Sequence, residues 1–469
     1  MFRFFKDFFI YGFASIISKL VAVFLMPIYT SILTQEEYGA MALITSAKGI
    51  IDLFSNLNIH SGIARDYNEE GIDRTKLVST GFFSILIISL FVMGIMIYTQ
   101  SFWQEKVLSL DKCYSTAFFI MLLTIPAGST LSYFSIITRF KRKPVLYSIG
   151  TLIQLFIQIS VSIVGVVYLR YGIASIFAGI LCGEIFGIVY FSYINRSSIK
   201  FTFNKEYIKR ALKFAIPTLP AILAGWIDSS MGQIIIGKYI SKTDLGIYSI
   251  ALQLSSVFSF INIALHNVWG PYLYENYKKN DFIKELKKLY IIIVLVLTLI
   301  AIGVSLMSKE IILLLSNSSY LDASKYFTLL CIPMCIYLLF PIATSGINIS
   351  RDTKYIGISY IIGSLMNIIF MFILMPRVGI NSVPIALGVS RMITYYTLYQ
   401  ISKKKGIIVL PNGILLLLII SVSICYFIVY MEIDVIYRII IVAMVSITVI
   451  MYLAKYTNIK EILALKKKI

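Results

Sequence analysis

Two segments of the chain carry the same pattern: LTQEEYGAMAL, from Leu33 to Leu43, and ISKTDLGIYSI, from Ile240 to Ile250. Each has an aliphatic residue, a hydroxyl residue, a polar pair, an acid, a large apolar residue and glycine, followed by an apolar helical stretch. An acid near a helix start is favourable because it faces the positive end of the helix dipole. Both segments therefore predict a polar turn that begins a helix, and a shift of 207 residues places Gly39 on Gly246.

The same shift of 207 residues aligns two further pairs of segments. LLTIP at 122–126 falls on LLCIP at 329–333, and LRYGI at 169–173 falls on PRVGI at 376–380. Three separated matches at one offset indicate an internal duplication. Such repeats are typical of membrane transporters.

The composition places the duplicated chain in a lipid bilayer. Of its 469 residues, 58% are hydrophobic and only 14% are charged, whereas a soluble domain carries roughly a quarter charged residues. The formal net charge of +19 would suggest nucleic acid in a soluble protein. Here the basic residues lie in short runs between apolar segments, which is the positive-inside pattern of membrane proteins, so we expect no nucleic-acid partner.

Apolar segments long enough to cross the hydrocarbon layer, about 20 residues each, recur along the whole chain. They predict an all-α polytopic protein with fourteen transmembrane helices, or twelve if two weak spans merge or lie at the interface. The predicted spans lie near residues 8–33, 39–59, 79–99, 115–138, 145–169, 172–194, 214–237, 245–271, 289–308, 326–350, 355–375, 380–401, 407–430 and 436–454.

The distribution of Lys and Arg predicts the orientation. One set of alternating connectors, including both termini, holds 30 of the 42 basic residues and the other set holds 9. The positive-inside rule then places both termini in the cytoplasm. Each 207-residue unit holds six spans, so the two units enter the membrane in the same sense, as a parallel repeat. We predict a six-helix lobe at 1–204, a second at 205–405, and two additional helices with a basic tail at 406–469.

Several phrases resemble the multidrug/oligosaccharidyl-lipid/polysaccharide exporter superfamily, and within it the Wzx-type oligosaccharide flippases of polysaccharide biosynthesis. They are LTQEEYGAMAL after FLMPIYTSIL, IIIGKYISKTDLGIYSIALQ, and GIARDYNEE in an inner loop. The resemblance covers residues 1 to about 405. Where such flippases often carry an arginine before the first outer loop, this chain has Ser31, and Gly232-Gln233 stands where Asp-Arg is frequent.

The resemblance implies a flippase that moves a polyprenyl-diphosphate-linked oligosaccharide across a bacterial inner membrane by alternating access. Membrane lipids are expected partners, as are the polymerase and glycosyltransferases of the same pathway. No nucleotide-binding motif of the P-loop type is present, so transport draws on H⁺ or Na⁺, on the cargo gradient or on downstream consumption. The alternatives are an ion-coupled drug or cation antiporter of the same superfamily, a membrane glycosyltransferase or polymerase, and a flippase for peptidoglycan precursors.

Ionisable residues inside spans are expensive and are candidate functional groups. Lys19 lies in the middle of the first span, and the shift places it on Trp226, with Asp228 two residues further on. The resemblance implies that these two helices flank the cleft. Lys19 and Asp228 are therefore candidate substrate contacts that exchange partners as the lobes move. A static ion pair, or a lysine that extends its ammonium to one face of the membrane, is the alternative.

The second and sixth spans of each lobe supply further candidates. Lys48 and Asp52 are four residues apart and share one helix face, as a local ion pair or as a polar site in the cleft. Glu184 and Arg391 are equivalent under the shift of 207, and we expect each to serve its own lobe. Arg65 in the inner loop is a candidate phosphate contact.

Prolines within the spans are candidate hinges, because proline removes a backbone donor and bends a helix. Pro27 in the first span, with Pro217 and Pro220 in the seventh, lies where a bend would suit lobe motion. Cys331 and Cys335 have no histidine neighbours and are expected as small buried side chains. The sequence predicts no metal site and no cofactor.

Overall fold

The computed structural model describes residues 17, 20–21, 23–405, 410–411 and 413–456. Within these ranges the chain is helical and contains no β-strand, which confirms the predicted all-α class. The described residues form two compact units that divide between Ser249 and Ile250. The predicted lobe boundaries at 204 and 405 remain predictions.

Among the described residues, the first unit contains ten α-helices and the first half of an eleventh. They are α1 (Val23–Ile32), α2 (Gln35–Asn56), α3 (Ile59–Asp66), α4 (Arg74–Tyr98), α5 (Ser115–Phe140), α6 (Pro144–Ile163), α7 (Ile173–Asn195), α8 (Lys205–Ala215), α9 (Leu219–Trp226), α10 (Gly232–Tyr239) and α11 (Lys242–Ser255). Within it, α7 packs against α5 and α6, and α3 packs against α8.

The second unit holds the remaining helices. They are α12 (Phe258–Asn276), α13 (Phe282–Leu306), α14 (Ser308–Leu315), α15 (Ala323–Leu338), α16 (Phe340–Ala343), α17 (Ser345–Ile349), α18 (Lys354–Val378), α19 (Ser382–Lys404), α20 (Gly413–Tyr430) and α21 (Val435–Tyr456). The last two, α20 and α21, both pack against α13. Arg438 on α21 also makes a bidentate ion pair with Glu310 on α14, at 2.6 and 3.1 Å.

Ten helical stretches of the described residues are long and apolar enough to cross a membrane. They are Arg74–Tyr98, Lys112–Phe140, Pro144–Tyr168, Ile173–Ser198, Lys205–Tyr239, Lys242–Asn276, Phe282–Leu306, Ala323–Ile349, Lys354–Lys404 and Gly413–Tyr430. Lys354–Lys404 contains both α18 and α19, where two spans were predicted. The helix α2 is not among the ten, and it carries Lys48 and Asp52. The number fourteen therefore stays a prediction.

The repeated segment Leu33–Leu43 forms the predicted polar turn and helix start. Thr34 caps α2 by accepting from the Glu37 backbone N–H at 3.2 Å, and the Glu37 carboxylate accepts from the Thr34 backbone N–H at 2.8 Å. This reciprocal capping box satisfies two donors that a helix start leaves without partners. Lys242, at the start of α11, forms ion pairs with Glu36 and Asp111, so the two repeated segments lie side by side.

A sharp break separates α2 from α3. Leu57 and Asn58 both adopt left-handed backbone conformations, with φ of 45° and 53°. A left-handed conformation is uncommon for residues other than glycine and stores strain, especially at leucine. The break redirects the chain, so that α3 packs along α8 rather than continuing the line of α2.

The segment Lys205–Tyr239 is one continuous stretch of 35 residues with two irregular turns. A 3₁₀ turn at Ile216–Thr218 contains Pro217, and Pro220 lies at the start of α9. A π turn at Ile227–Met231 contains Asp228. Prolines and π turns are common causes of helix bending. These positions suit the predicted hinges, and Pro27 lies within α1.

Candidate functional site

A cluster of three charged side chains lies within the first unit. The Lys48 ammonium lies 2.7 Å from Asp52 Oδ2, one helical turn away on α2, and 3.9 Å from Glu184 Oε1 on α7. The Lys48 and Glu184 side chains are only 15% and 10% exposed, whereas the Asp52 side chain is 32% exposed. One ammonium thus neutralises parts of two carboxylates, and the cluster carries an excess of negative charge when both are ionised.

Space for this cluster comes from a glycine on the neighbouring helix. A Cβ at Gly128 on α5 would lie 2.9 Å from Glu184 Oε1 and 3.4 Å from the Lys48 ammonium. One residue further on, the Ser129 hydroxyl forms a 2.8 Å hydrogen bond with Ser55 of α2. Asp52 Oδ1 and Glu184 Oε2 are buried and have no hydrogen-bond partner among the described residues. The cluster therefore has spare acceptor capacity.

Trp226 on α9 contacts α2 at Ser46 and Gly49, on either side of Lys48 in the sequence. Its indole N–H donates to the Ser46 carbonyl at 3.1 Å, and a Cβ at Gly49 would lie 3.0 Å from the same nitrogen. Asp228 follows two residues later in the π turn and is partly buried. Lys19, its predicted exchange partner, lies outside the described residues, so the proposed pairing stays a prediction.

A second polar feature lies between α3 and α8. The side chains of Arg65, Asp66, Arg210, Lys213, Phe214, Pro217 and Thr218 line a cavity of about 510 Å³. Three of these lining residues are cations and one is an acid. The cavity lies beside the loop after α3 and the basic connector before α8, and the Lys and Arg distribution predicts that both are cytoplasmic.

The walls of this cavity are fixed by close backbone contact and ion pairing. A Cβ at Gly62 on α3 would lie 2.5 Å from the Ala211 carbonyl oxygen on α8. Arg210 Nε lies 3.2 Å from the buried Asp66 carboxylate, and another nitrogen of its guanidinium binds Glu69. His60 also lies on α3, where burial and the nearby Arg139 lower its pKa, so its imidazole is neutral at pH 7.

Glu184 and Arg391 occupy corresponding places in their own units. Glu184 reaches α5 beside Gly128, two residues after Pro126. Arg391 reaches α15, where its guanidinium donates to the Pro333 carbonyl at 2.9 Å and lies 4.9 Å from the Tyr337 ring centroid. A shift of 207 relates Pro126 to Pro333 as it relates Glu184 to Arg391. Each side chain thus contacts a helix of its own unit, and its role there remains a prediction.

Some residues of these two features could not be singled out from the sequence. Arg210 and Lys213 belong to a basic connector that orientation in the membrane already explains, so no signal marked them as partners of Arg65. The sequence also did not predict that Gly128 and Trp226 lie next to the residues of the charged cluster. Trp226 had one signal, its alignment with Lys19 under the repeat shift.

These features together describe an all-helical, multi-pass membrane protein with ionisable side chains in its interior. Such groups are rare in membrane spans and mark substrate or ion pathways. The chain belongs to the family of polysaccharide biosynthesis proteins, whose profile matches residues 28–325.

Two relatives from bacteria share part of the sequence. Protein 1 of the Lsg locus of Haemophilus influenzae is 24% identical over 345 residues, which cover 70% of this chain and 80% of that protein. The succinoglycan biosynthesis transport protein ExoT of Rhizobium meliloti is 20% identical over 235 residues, which cover 50% of this chain and 46% of ExoT.

Solved structures share the fold. The lipid II flippase MurJ, in an inward closed conformation, superposes with a TM-score of 0.70 at 16% identity, over 95% of this chain and 98% of MurJ. An inward-facing multidrug resistance MATE family transporter of the MOP superfamily gives a TM-score of 0.67 at 14% identity, over 84% of this chain and 94% of that chain. The predicted resemblance to polysaccharide biosynthesis proteins is confirmed by the family match, and these structures show that the fold is shared.

Proposed function

We propose that the protein is a transporter, not an enzyme, and that it moves a polyprenyl-diphosphate-linked oligosaccharide from the inner to the outer leaflet. Membership in the polysaccharide biosynthesis family is the observation that carries this proposal. The relative ExoT is named as a succinoglycan biosynthesis transport protein, and MurJ as a lipid II flippase. The name of ExoT supports a cargo of polysaccharide biosynthesis here, and the name of MurJ supports a lipid-linked one.

The chemistry of the cargo explains what the protein must supply. A hydrated sugar head and a diphosphate cannot cross hydrocarbon unaided, because each polar group would lose its hydrogen bonds to water. The long lipid tail can remain in the bilayer. A flippase therefore needs a polar route for the head, and the charged cluster of Lys48, Asp52 and Glu184 places polar groups inside the first unit.

Two close helix contacts in the first unit suit alternating access. The starts of α2 and α11 meet at Gly39 and Gly246, and α3 meets α8 at Gly62 and Ala211. The segment Lys205–Tyr239 runs between these two contacts and contains the turns at Pro217 and Asp228. Bending at either turn would let one contact open while the other stays closed.

The remaining assignments follow from the orientation of the chain. We place the protein in a bacterial inner membrane with both termini in the cytoplasm, as the Lys and Arg distribution predicts. H⁺ or Na⁺ is the proposed coupling ion, and the polymerase and glycosyltransferases of the pathway are the proposed partners. Lys19, Lys48, Asp52, Arg65 and Asp228 remain the proposed substrate contacts.

An ion-coupled antiporter for drugs or cations is the second candidate. The arrangement of Lys48 favours it, because Asp52 and Glu184 outnumber the single ammonium and could together attract a cation. Because its ammonium is already paired with these two carboxylates, Lys48 attracts a diphosphate less strongly than an unpaired cation would. The two candidates therefore differ in the charge of the species that the cluster accepts.

Reconstitution separates the two candidates. Vesicles containing the purified protein would receive a polyprenyl-diphosphate-linked oligosaccharide in one leaflet, and a glycosidase would measure its arrival in the other. We expect transfer with the protein and none with empty vesicles. Gradient-driven release of an organic cation from the same vesicles, without lipid transfer, would instead identify an antiporter. In cells, deletion of the gene should accumulate the lipid-linked intermediate on the inner leaflet.

A further inference from the structure

We propose that the cavity between α3 and α8 is a docking site for the diphosphate of the lipid carrier, held by Arg65 and Lys213 and shaped by Arg210. This inference rests on the proposed function and adds residues and a place to it. Of the residues that line this cavity, the sequence pointed only to Arg65 as a phosphate contact. The structure adds Lys213 and Arg210 from a helix more than a hundred residues away in the chain.

The charges of the cavity favour an anion. Arg210 is occupied by Asp66 and Glu69. In the part of the chain that the structure describes, no carboxylate lies within 4 Å of the side-chain nitrogens of Arg65 or Lys213. Two cations of the cavity lining thus have no carboxylate within ion-pairing distance, since the one acid of the lining, Asp66, is paired with Arg210. Arginine can bind phosphate oxygens through two parallel hydrogen bonds, and lysine adds a mobile point charge.

Contacts with neighbouring side chains restrict the positions of the cations that line the cavity. The Arg65 guanidinium lies over the Phe214 ring, 5.1 Å from its centroid. Arg210 ties α8 to α3 through the buried carboxylate of Asp66, which keeps Lys213, one turn further along α8, on the cavity wall. A positioned arginine loses less conformational freedom on binding, so more of the interaction energy appears as affinity.

The size and position of the cavity suit a headgroup at the membrane surface. Its volume of about 510 Å³ falls in the usual range of about 300–1,000 Å³ for small-ligand pockets. Arg65 and Lys213 are exposed, so a diphosphate can reach them from the inner face. The Thr218 hydroxyl, which accepts from the Asn58 amide at 2.8 Å, adds a polar group to the cavity wall.

Binding of farnesyl diphosphate to the full-length protein, in nanodiscs of phosphatidylcholine, tests the site. Two variants carry the test: Lys213→Gln, and Arg65→Gln combined with Lys213→Gln. We expect the double variant to raise the Kd at least tenfold and the single variant to raise it severalfold. The matched control is Lys209→Gln, which removes an exposed charge from α8 outside the cavity and should leave the Kd within twofold. An unchanged Kd in the double variant, at wild-type melting temperature, overturns the proposal.

Two further arms separate the source of the phosphate and the role of the site. If phosphatidylglycerol displaces farnesyl diphosphate from the wild type at equal mole fraction, the cavity binds bulk anionic lipid and the assignment to the carrier fails. The leaflet-transfer assay is run on the same preparations. If the wild type transfers lipid and the double variant transfers it equally well, only the docking site is refuted. If the double variant loses farnesyl diphosphate binding but the wild type shows no leaflet transfer, the proposed function is refuted and the binding site stands.

Discussion

Gly39 and Gly246 face each other in a reciprocal contact. A Cβ on Gly39 would lie 3.0 Å from the Gly246 nitrogen and 2.8 Å from the Lys242 carbonyl carbon. A Cβ on Gly246 would lie 2.9 Å from the Gln35 carbonyl carbon. Gln35 and Lys242 are themselves related by the shift of 207 residues. A contact in which each partner meets the equivalent of the other is what a two-fold axis produces.

This reciprocity gives the two glycines a reason to occur at the same place in both repeated segments. Two helices can cross with their backbones in contact only where neither carries a side chain at the crossing point. Both residues have ordinary helical backbone angles, so the requirement is for space and not for a left-handed conformation.

The variant Gly39→Ala should force α2 and α11 apart at the predicted outer end. Its methyl group would lie closer to the Lys242 carbonyl carbon than real Cβ contacts allow. Overpacking of this kind costs about 1–3 kcal/mol, enough to shift a conformational equilibrium about tenfold. In a protein with Cys113 and Cys182 replaced by serine, labelling of Ser46→Cys by an impermeant maleimide from outside should rise about tenfold.

The control for this variant is Gly94→Ala on α4, where an added Cβ meets nothing within 4 Å. It should leave both labelling and leaflet transfer unchanged. If Gly39→Ala also labels and transports as the wild type does, the crossing is not part of a closed outer end.

The companion variant Gly62→Ala should act at the opposite end. Its Cβ would lie 2.5 Å from the Ala211 carbonyl oxygen and 2.6 Å from the Ala211 Cα, so α3 and α8 must separate. In inside-out vesicles, we expect the cysteine of Thr218→Cys to be labelled from the cytoplasmic side severalfold faster when Gly62→Ala is also present than when it is absent. If each of Gly39→Ala and Gly62→Ala raised cysteine labelling equally from both sides of the membrane, the variants would be destabilising the helix packing in general. The two contacts would then not alternate.

The sequence allowed the helical class and some local contacts to be predicted, because both depend on local pattern. Apolar length predicts helices, and the spacing of four residues places Lys48 and Asp52 on one helix face, where the two side chains lie 2.7 Å apart. The polar residues and the acid near the helix start predict the turn at Leu33–Leu43, and the structure adds that Thr34 and Glu37 form a capping box there.

What could not be predicted depends on which helices become neighbours. Glu184 joins Lys48 because α7 packs against α5 and near α2, and no spacing in the sequence carries that information. The break at Leu57 and Asn58 has only a weak signal, the tolerance of asparagine for a left-handed backbone, since neither glycine nor proline marks it. The cavity between Arg65 and Lys213 likewise depends on that break, which turns α3 toward α8.

The bidentate pair of Arg438 and Glu310 should hold the last helices on the second unit. Arg438 is buried and also donates to the Leu306 carbonyl at 2.7 Å. Removing one partner of a buried pair leaves a charge without compensation, at a cost of about 3 kcal/mol. Arg438→Met should therefore lower the melting temperature in detergent and increase proteolysis near α21.

A matched control is available one residue from Glu310. Lys309 forms a 3.2 Å ion pair with Glu432, whose side chain is largely exposed. Exposed pairs contribute about 0–1 kcal/mol, so Lys309→Met should have little effect on melting. Equal destabilisation by Lys309→Met and Arg438→Met would show that burial of the Arg438 pair is not what anchors α21.

The cluster of Lys48, Asp52 and Glu184 predicts a variant that is folded but inactive. Lys48→Met alone leaves two carboxylates without their ammonium and should destabilise the protein by up to about 3 kcal/mol, at the lower end for a buried pair, because Asp52 is one-third exposed. Combining it with Asp52→Asn and Glu184→Gln removes every charge and should restore the melting temperature. If the cluster handles charge during transport, leaflet transfer by this neutral variant stays at least tenfold below wild type. If the neutral variant instead transfers lipid at the wild-type rate, the three residues serve stability alone. The protein would then need only a filled, hydrogen-bonded space between α2, α5 and α7, and no charge there.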